Sequence, residues 1–393
     1  MAGDSRARLL LDLLATATGP DASDIAAVDA AGWLQIEAWA ALHRLGPLIH
    51  ARHHCNPAIP TRLREAWRDA HRHYAMAAMV QQADLADCVL LLEAHGFSPV
   101  ALKGAFLARY AYPAPALRPM RDIDLLLPPE QVLPAFRLLL EAQYEMDSQP
   151  KAALEDIVRL ELHMPPVSMP RGSVLELHAR ISELDGKLEY ATPAGNEALL
   201  LSRTIARDGI RYPCPQDMLA HLIVHAVYGH RLDCGPLVLS DIHYLALAHP
   251  IDWPMFWDAA RAGGWQRGAR LVIELARRFH GCEALPVMPQ EPAAPSEKLI
   301  AVSCNLLLQD YVAKKPARFL ATILTGGFST LLKRASGRVT GEGERTLTLD
   351  RTSDGGKISW ALQQCRQLWN DLSDPAVRQQ ARELARFKRW LHL

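Results

Sequence analysis

The sequence lacks an excess of charge of either sign. Its 393 residues include 43 Lys and Arg and 43 Asp and Glu, so the formal net charge is zero. Proteins that bind long nucleic acids usually present a basic surface, and a balanced chain gives no indication of one. We therefore expect no long DNA or RNA as a partner. Because 49% of the residues are hydrophobic, the composition also excludes a largely disordered chain.

Long apolar runs and paired cysteines are missing as well. No stretch of about 18 uncharged apolar residues occurs, so the sequence predicts no transmembrane segment. The most apolar segment, 319–332, is short and contains two glycines, which favours a packed helix over one that contacts a membrane surface. The seven cysteines are scattered and never form Cys-x-x-Cys. This pattern indicates a reduced, cytoplasmic protein.

Helical periodicity dominates what is present. Apolar residues recur at helical spacing through 61–95, and we expect further helices at 216–228, 237–248, 253–262 and 266–280. Between these helical parts, short apolar runs alternate with turns rich in proline and glycine. Two of these runs, 158–164 and 174–181, predict a hairpin. The fold class is therefore α+β, with a small mixed sheet embedded in mainly helical N- and C-terminal parts.

Changes in composition divide the chain into successive units. We expect a helical N-terminal unit 1–95, a core with the sheet 96–213, a helical unit 214–283, a proline-rich linker 284–296, and a helical C-terminal unit 297–393 with a mobile loop 336–357.

Two carboxylates stand one residue apart at the start of an apolar strand. Side chains alternate along a strand, so Asp122 and Asp124 point to one face. Carboxylates this close repel each other, and a shared divalent cation removes the conflict. Two solvated acids at an exposed strand end would give the same pattern. The three leucines that follow Asp124 indicate a strand that is buried on at least one face, so we predict a metal site.

A glycine stands upstream at a predicted turn from strand to helix. Gly104 permits a tight turn there, and the N–H groups at the start of the next helix can face an anion. Such a glycine is more often structural, but the Asp-x-Asp strand that follows makes the pattern more specific. Lys103, Arg118 and Arg121 are candidate phosphate contacts, although a plain surface cation fits each of them equally well.

Together these motifs resemble the DNA polymerase β-type nucleotidyltransferase superfamily. More narrowly, Leu-Lys-Gly104, Asp122-Ile-Asp-Leu-Leu and a later Glu-Leu-His resemble its bacterial branch of uncharacterised nucleotidyltransferases, over roughly 96–247. The resemblance implies a polymerase β-like catalytic core, with Gly104 at the nucleotide turn and Asp122 and Asp124 as ligands of Mg²⁺ or Mn²⁺. The sequence departs from the wider superfamily at Ala105, where a serine or glycine is usual, so a hydroxyl contact to phosphate is absent.

The resemblance also implies a third acid, for which the sequence offers two candidates. Leu160-Glu-Leu-His163 and Leu175-Glu-Leu-His178 share one pattern. Glu176 lies in the longer run and at the family position, so we favour it and keep Glu161 as the alternative. In the favoured run, Glu176 and His178 share one face of the strand.

Three carboxylates predict metal-dependent transfer of a nucleoside monophosphate from an NTP, with ATP as the first choice. The acceptor is open: a small molecule, a sugar, a peptide or a protein. His178, His221 and His225 are candidates to line its pocket, and the last two recur at helical spacing. Core histidines would explain that spacing equally well. The alternatives are a non-catalytic protein of the same fold that binds a nucleotide or a partner, and a phosphotransferase.

Overall fold

Most of the chain is described by a computed structural model. The described residues are 2–16, 19–146, 148–150, 152–181, 197–281, 284–285, 294–309, 317–318, 320–321, 324–325 and 373–391. Contacts divide the chain into two compact units. The first comprises 1–230 and 234–295, and the second comprises 231–233 and 296–393. The predicted loop 336–357 and most of the segment 319–332 and of the linker 284–296 lie outside the described residues.

Helices form most of the first unit. In chain order they are α1 Ala2–Leu14, α2 Ala22–Ala26, α3 Ala30–Leu42, α4 Gly46–His53, α5 Thr61–Ala94, α6 Gly104–Tyr110, α7 Pro129–Glu141, α8 Leu154–Leu160, α9 Glu197–Ser202, α10 Pro215–Val224, α11 Leu237–Ala248, α12 Trp253–Ala262 and α13 Gln266–His280. A 3₁₀ turn occupies Pro115–Leu117, and a π-helix, His225–Gly229, continues α10. The helices predicted at 237–248, 253–262 and 266–280 are confirmed.

The sheet of the first unit has five strands in the order β1-β2-β5-β4-β3. The strands are β1 Val100–Ala101, β2 Ile123–Leu126, β3 Glu145–Met146, β4 Val167–Ser168 and β5 Val174–His178. Strands β2 and β5 pair in parallel, whereas the other neighbours pair antiparallel. A separate hairpin joins β6 Thr204–Arg207 to β7 Ile210–Pro213. The predicted small mixed sheet flanked by helices is therefore confirmed.

The parallel pair at the centre of the sheet separates apolar from polar side chains. Ile123 and Leu125 of β2 are the register partners of Leu175 and Leu177 of β5, and all four are buried. Helix α6 contacts β2, and helix α7 contacts β5. Because side chains alternate along a strand, the residues between these apolar ones point to the other face. Asp124 is one of them.

The predicted strand at 158–164 is wrong. Its first residues belong to helix α8, which begins at Leu154 and has Glu155 and Asp156 in its first turn. Acidic residues there favour a helix, because they complement its positive N-terminal end. A short apolar run does not by itself distinguish helix from strand. The antiparallel partner of β5 is instead β4, which lies inside the segment that the sequence predicts to be a turn.

The second unit contains helices α14 Glu297–Leu307 and α15 Pro375–Leu391, which contact each other. The side chain of Ser296 caps the first of them by accepting a hydrogen bond from the N–H of Leu299 at 3.3 Å. Across the two helices, the Asn305 amide donates to Glu383 Oε1 at 3.0 Å.

One described helix, α5, is long and apolar enough to cross a membrane by length and composition alone. Its most apolar window is 33% buried, and core helices of water-soluble proteins meet the same criterion. Asp84 of this helix is itself buried and accepts hydrogen bonds from the backbone N–H groups of Arg171 and Ser173, each at 3.2 Å. The described residues therefore contain no clear transmembrane segment.

Candidate metal and nucleotide site

Three side chains converge on the polar face of the central strand pair. One ligand atom each from Asp124, Glu176 and His178 lies within 4.8 Å of the other two. The Nε2 atom of His178 is 2.8 Å from Asp124 Oδ1 and 3.5 Å from Glu176 Oε2. Two carboxylates and one imidazole at these separations can hold a divalent cation.

Strand pairing explains why these three residues meet. Asp124 of β2 and Glu176 of β5 are register partners, so their side chains leave the sheet beside each other. His178 stands two residues further along β5 and therefore points to the same face. Backbone hydrogen bonds between the strands fix these positions. The structure thus brings together Asp124, Glu176 and His178, three of the residues that the sequence predicts.

Asp122 lies immediately before β2 and is only partly buried. It is not one of the three converging residues, but two of them, Asp124 and Glu176, are near enough to affect its pKa. Burial is the main cause that raises the pKa of Asp122, and the charges of Asp124 and Glu176 raise it further. At Asp124 burial acts in the same direction, but the Lys103 ammonium and His178 hold the pKa of that carboxyl well below its usual range. The two acids of the motif therefore differ strongly in proton affinity.

Lys103 carries the backbone strain of the turn. Its φ of 47° and ψ of −114° lie in a region that favours glycine. Its N–H group lies 3.3 Å from the sulfur of Met218, and its Nζ atom is 3.3 Å from Asp124 Oδ1. A strained residue whose side chain reaches the acidic cluster is typical of functional sites.

Gly104 has a close side-chain neighbour at the place where a Cβ atom would stand. Its φ is not positive; the residue with the positive φ in this turn is Lys103. A Cβ atom on Gly104 would instead lie 2.8 Å from both Cγ and Sδ of Met120. The absence of a side chain thus allows Met120 to approach closely. The next residue, Ala105, is buried.

The two candidate arginines occupy different environments. Arg118 donates from Nε and Nη2 to the two oxygens of Asp241, at 2.6 and 2.9 Å, and from Nη1 to the carbonyl of Pro119 at 2.8 Å. The Tyr112 hydroxyl donates to the same Asp241 carboxylate at 2.7 Å. The charge of Arg118 is therefore compensated within the protein. Arg121 is exposed.

His221 and His225 lie at the end of α10, where the helix changes pitch. The N–H of His230 donates to the carbonyl of His225 at 2.9 Å, which is the spacing of a π-helix. Burial first, then the Lys103 charge, lowers the pKa of His221 to about 3 and that of His225 well below its usual range, and Asp124 opposes both shifts. Both imidazoles are therefore neutral at pH 7 and lie near the acidic cluster.

Sequence reasoning missed His163. The first Leu-Glu-Leu-His run contributes its histidine to the site, because His163 forms an isolated antiparallel bridge with His178. The two imidazole centroids are 5.1 Å apart, and His163 Nε2 is 3.8 Å from Glu176 Oε2. Glu161 follows the last residue of α8 and is not among the converging ligand atoms. The repeated motif was the signal that could have revealed His163.

The architecture and the comparisons agree on a class. A small mixed sheet flanked by helices, with an acidic cluster on its central strands, is consistent with a nucleotidyltransferase core. The family model described as "Uncharacterised nucleotidyltransferase" matches residues 29–281, so the chain belongs to this family. No curated protein and no solved structure matches the chain.

Proposed function

We propose that the protein transfers a nucleoside monophosphate from an NTP, with ATP as the first choice, to a hydroxyl-bearing small molecule, sugar, peptide or protein. The observation that carries this proposal is the register pairing of Asp124 with Glu176, which sets two carboxylates side by side on the sheet of a nucleotidyltransferase family member.

The donor set fits a divalent cation. Asp124, Glu176 and His178 would hold it, and Asp122, which is near enough for the charges of Asp124 and Glu176 to raise its pKa, would join them as a further ligand. Bound there, Mg²⁺ or Mn²⁺ would supply positive charge for the phosphates and would lower the pKa of an acceptor hydroxyl. The low pKa of Asp124 keeps this ligand ionised at neutral pH.

The surrounding side chains suit a triphosphate on one side and an acceptor on the other. Lys103 presents its ammonium group at the cluster, where it can form charge-assisted bonds to phosphate. His221 and His225 are neutral and can exchange hydrogen bonds with a hydroxyl group. The Nε2 atom of His221 is buried and has no hydrogen-bond partner among the described residues, so it is available for such a contact.

Two observations favour the second candidate, a non-catalytic protein that binds nucleotide. Ala105 supplies no hydroxyl at the turn, and Arg118 already pairs with Asp241. Of the three predicted phosphate contacts, Arg118 is therefore less available, and the turn itself offers no hydroxyl group. The cluster of Asp124, Glu176 and His178 supports the catalytic candidate.

Labelled nucleotides distinguish the candidates. The full chain is incubated with Mn²⁺ or Mg²⁺, a fractionated cell extract, and NTP labelled at the α- or the γ-phosphate. We expect transfer of label from the α-position only. Transfer from the γ-position would identify a phosphotransferase, and nucleotide binding by calorimetry without transfer would identify the non-catalytic protein.

Matched variants then test the site. Glu176→Gln should lower the rate of transfer by about 10² or more, because a charged ligand becomes a neutral amide of similar shape. Glu161→Gln is the control from the duplicate motif and should remain within a few fold of the wild type. Full activity of Glu176→Gln would exclude the proposed role of that carboxylate.

A further inference from the structure

The ring nitrogens of His178 have different partners. Nδ1 lies 3.3 Å from the backbone carbonyl of Arg180, and Nε2 faces the carboxylates of Asp124 and Glu176. A carbonyl oxygen can only accept a hydrogen bond, so Nδ1 carries a hydrogen. Nε2 faces carboxylate oxygens, which also only accept, so it carries a hydrogen in the metal-free protein, and a metal ion bound at Nε2 would take the place of that hydrogen. Metal-binding histidines typically have their second nitrogen fixed in this way.

His163 repeats this arrangement on the other side of Glu176. Its Nδ1 atom is 2.7 Å from the carbonyl of Met164, so it too carries a hydrogen. Its Nε2 atom lies 3.8 Å from Glu176 Oε2. The two Leu-Glu-Leu-His runs therefore direct the same ring nitrogen of two histidines towards one carboxylate. His163 lies outside the group of mutually close ligand atoms, whereas His178 lies within it.

The position of His178 makes its nitrogen part of the donor set rather than a neighbour of it. His178 is 6% exposed, and its Nε2 atom is closer to Asp124 Oδ1 than the Lys103 ammonium is, at 2.8 against 3.3 Å. A cation shared by Asp124 Oδ1 and Glu176 Oε2 would therefore lie beside this nitrogen. The buried His221, whose Nε2 atom has no partner among the described residues, lies near the same cluster.

We propose that His178 Nε2 is a metal ligand together with Asp124 and Glu176, and that this mixed nitrogen and oxygen site prefers a first-row transition ion such as Mn²⁺ over Mg²⁺. Mg²⁺ prefers oxygen ligands and retains its water molecules, whereas transition ions accept imidazole readily. This metal preference extends the proposed function, and it depends on that function only in assuming that the site binds a metal ion.

Pulsed electron paramagnetic resonance of Mn²⁺ bound to the full chain tests the ligand directly. We expect nitrogen coupling of the strength typical of a directly bound imidazole in the wild type and in His163→Gln, and its loss in His178→Gln. In calorimetry, His178→Gln should weaken Mn²⁺ binding by about tenfold or more and leave Mg²⁺ binding within a few fold. His163→Gln is the matched control because it occupies the same place in the duplicate motif.

The wild-type measurements decide the matter even if His178→Gln does not fold. Bound Mn²⁺ without nitrogen coupling, equal affinity for Mg²⁺ and Mn²⁺, or no metal binding at all would overturn the proposal. Loss of the coupling in His163→Gln but not in His178→Gln would also overturn it. Nitrogen-coupled Mn²⁺ in a protein that neither binds nor transfers a nucleotide would support the ligand assignment and refute the proposed function. Nucleotidyl transfer at an oxygen-only site would refute the ligand assignment alone.

Discussion

Asp124 and Glu176 occupy register-paired positions on two parallel strands. Both side chains are anchored to a backbone that is hydrogen bonded on each side, since β2 also pairs with β1 and β5 also pairs with β4. A cluster built on strands holds its geometry better than one built on loops. Lys103 and His178 compensate the charge of Asp124 within the protein.

The two acids of the Asp-x-Asp motif should have opposite effects on stability. Asp122 has a raised pKa, so the folded state loses stability as pH rises through that pKa, and the penalty is present at pH 7. Asp122→Asn should therefore raise the melting temperature. Asp124 has a lowered pKa and contributes stability above its unfolded value of 3.8. Asp124→Asn should lower the melting temperature, because Lys103 and His178 lose their partner.

Both of these variants should lose metal-dependent nucleotide binding. Thermal melts at pH 7 and calorimetry with Mn²⁺ and ATP measure the two effects separately. A melting temperature of Asp122→Asn below that of the wild type would show that the ionised Asp122 carboxylate does not destabilise the folded state at pH 7. If both variants still bound ATP in the presence of Mn²⁺, the proposed metal and nucleotide site would be wrong.

Gly104→Ala should destabilise the protein through Met120. The new Cβ atom would lie 2.8 Å from Met120 Cγ and Sδ, so the side chain or the turn must shift. We expect a loss of about 1–3 kcal/mol in the free energy of unfolding, as for other overpacked sites. In a double-mutant cycle with Met120→Ala, the combined loss should be smaller than the sum of the single losses. Simple additivity would show that the clash is not the cause.

Replacing Lys103 by glycine or by alanine isolates the backbone strain. Both variants remove the ion pair with Asp124, but only glycine relieves the φ of 47°. Lys103→Gly should therefore be more stable than Lys103→Ala by about 1 kcal/mol in urea unfolding. Equal stabilities would mean that the turn relaxes without cost.

Lys103→Met should separate metal binding from nucleotide binding. The ammonium of Lys103 lies 3.3 Å from Asp124 Oδ1, where it repels a cation that uses the same oxygen. Without nucleotide, Lys103→Met should bind Mn²⁺ several-fold more tightly than the wild type. ATP binding should weaken, because the charge that faces the phosphates is lost. Weaker Mn²⁺ binding in this variant would show that the Lys103 ammonium does not compete with the metal ion for Asp124.

Buried histidines should make the fold sensitive to mild acid. The pKa of His221 is lowered to about 3 from its ordinary 6.5. Between these two pH values, His221 is therefore protonated in the unfolded chain and neutral in the folded protein. Stability from this residue is complete above pH 6.5 and falls as the pH decreases towards 3, by about 1.4 kcal/mol per pH unit. His221→Gln should reduce the dependence of unfolding free energy on pH between 6.5 and 4.5. The exposed His73→Gln is the control and should follow the wild type.

The sequence by itself determined the features that depend on local spacing. The helix predicted at 61–95 is α5, Thr61–Ala94, because its apolar residues follow the helical period between Pro60 and Gly96. The alternation in Asp-Ile-Asp-Leu correctly placed Asp124 on one face of a strand and Leu125 among the buried residues. Such patterns depend only on which side of a helix or strand is buried, so they can be recognised without knowing which other segment packs against that side.

Only the tertiary structure decided which distant residues meet. The parallel pairing of β2 with β5 sets His178 against Asp124, and an isolated bridge brings His163 beside it. Likewise, Asp241 of α11 compensates Arg118, which a motif alone presents as free for phosphate. These contacts join residues far apart in the chain, and no local period encodes strand order or helix placement. The ligand set is therefore a property of the fold, whereas the acidic strand is a property of the sequence.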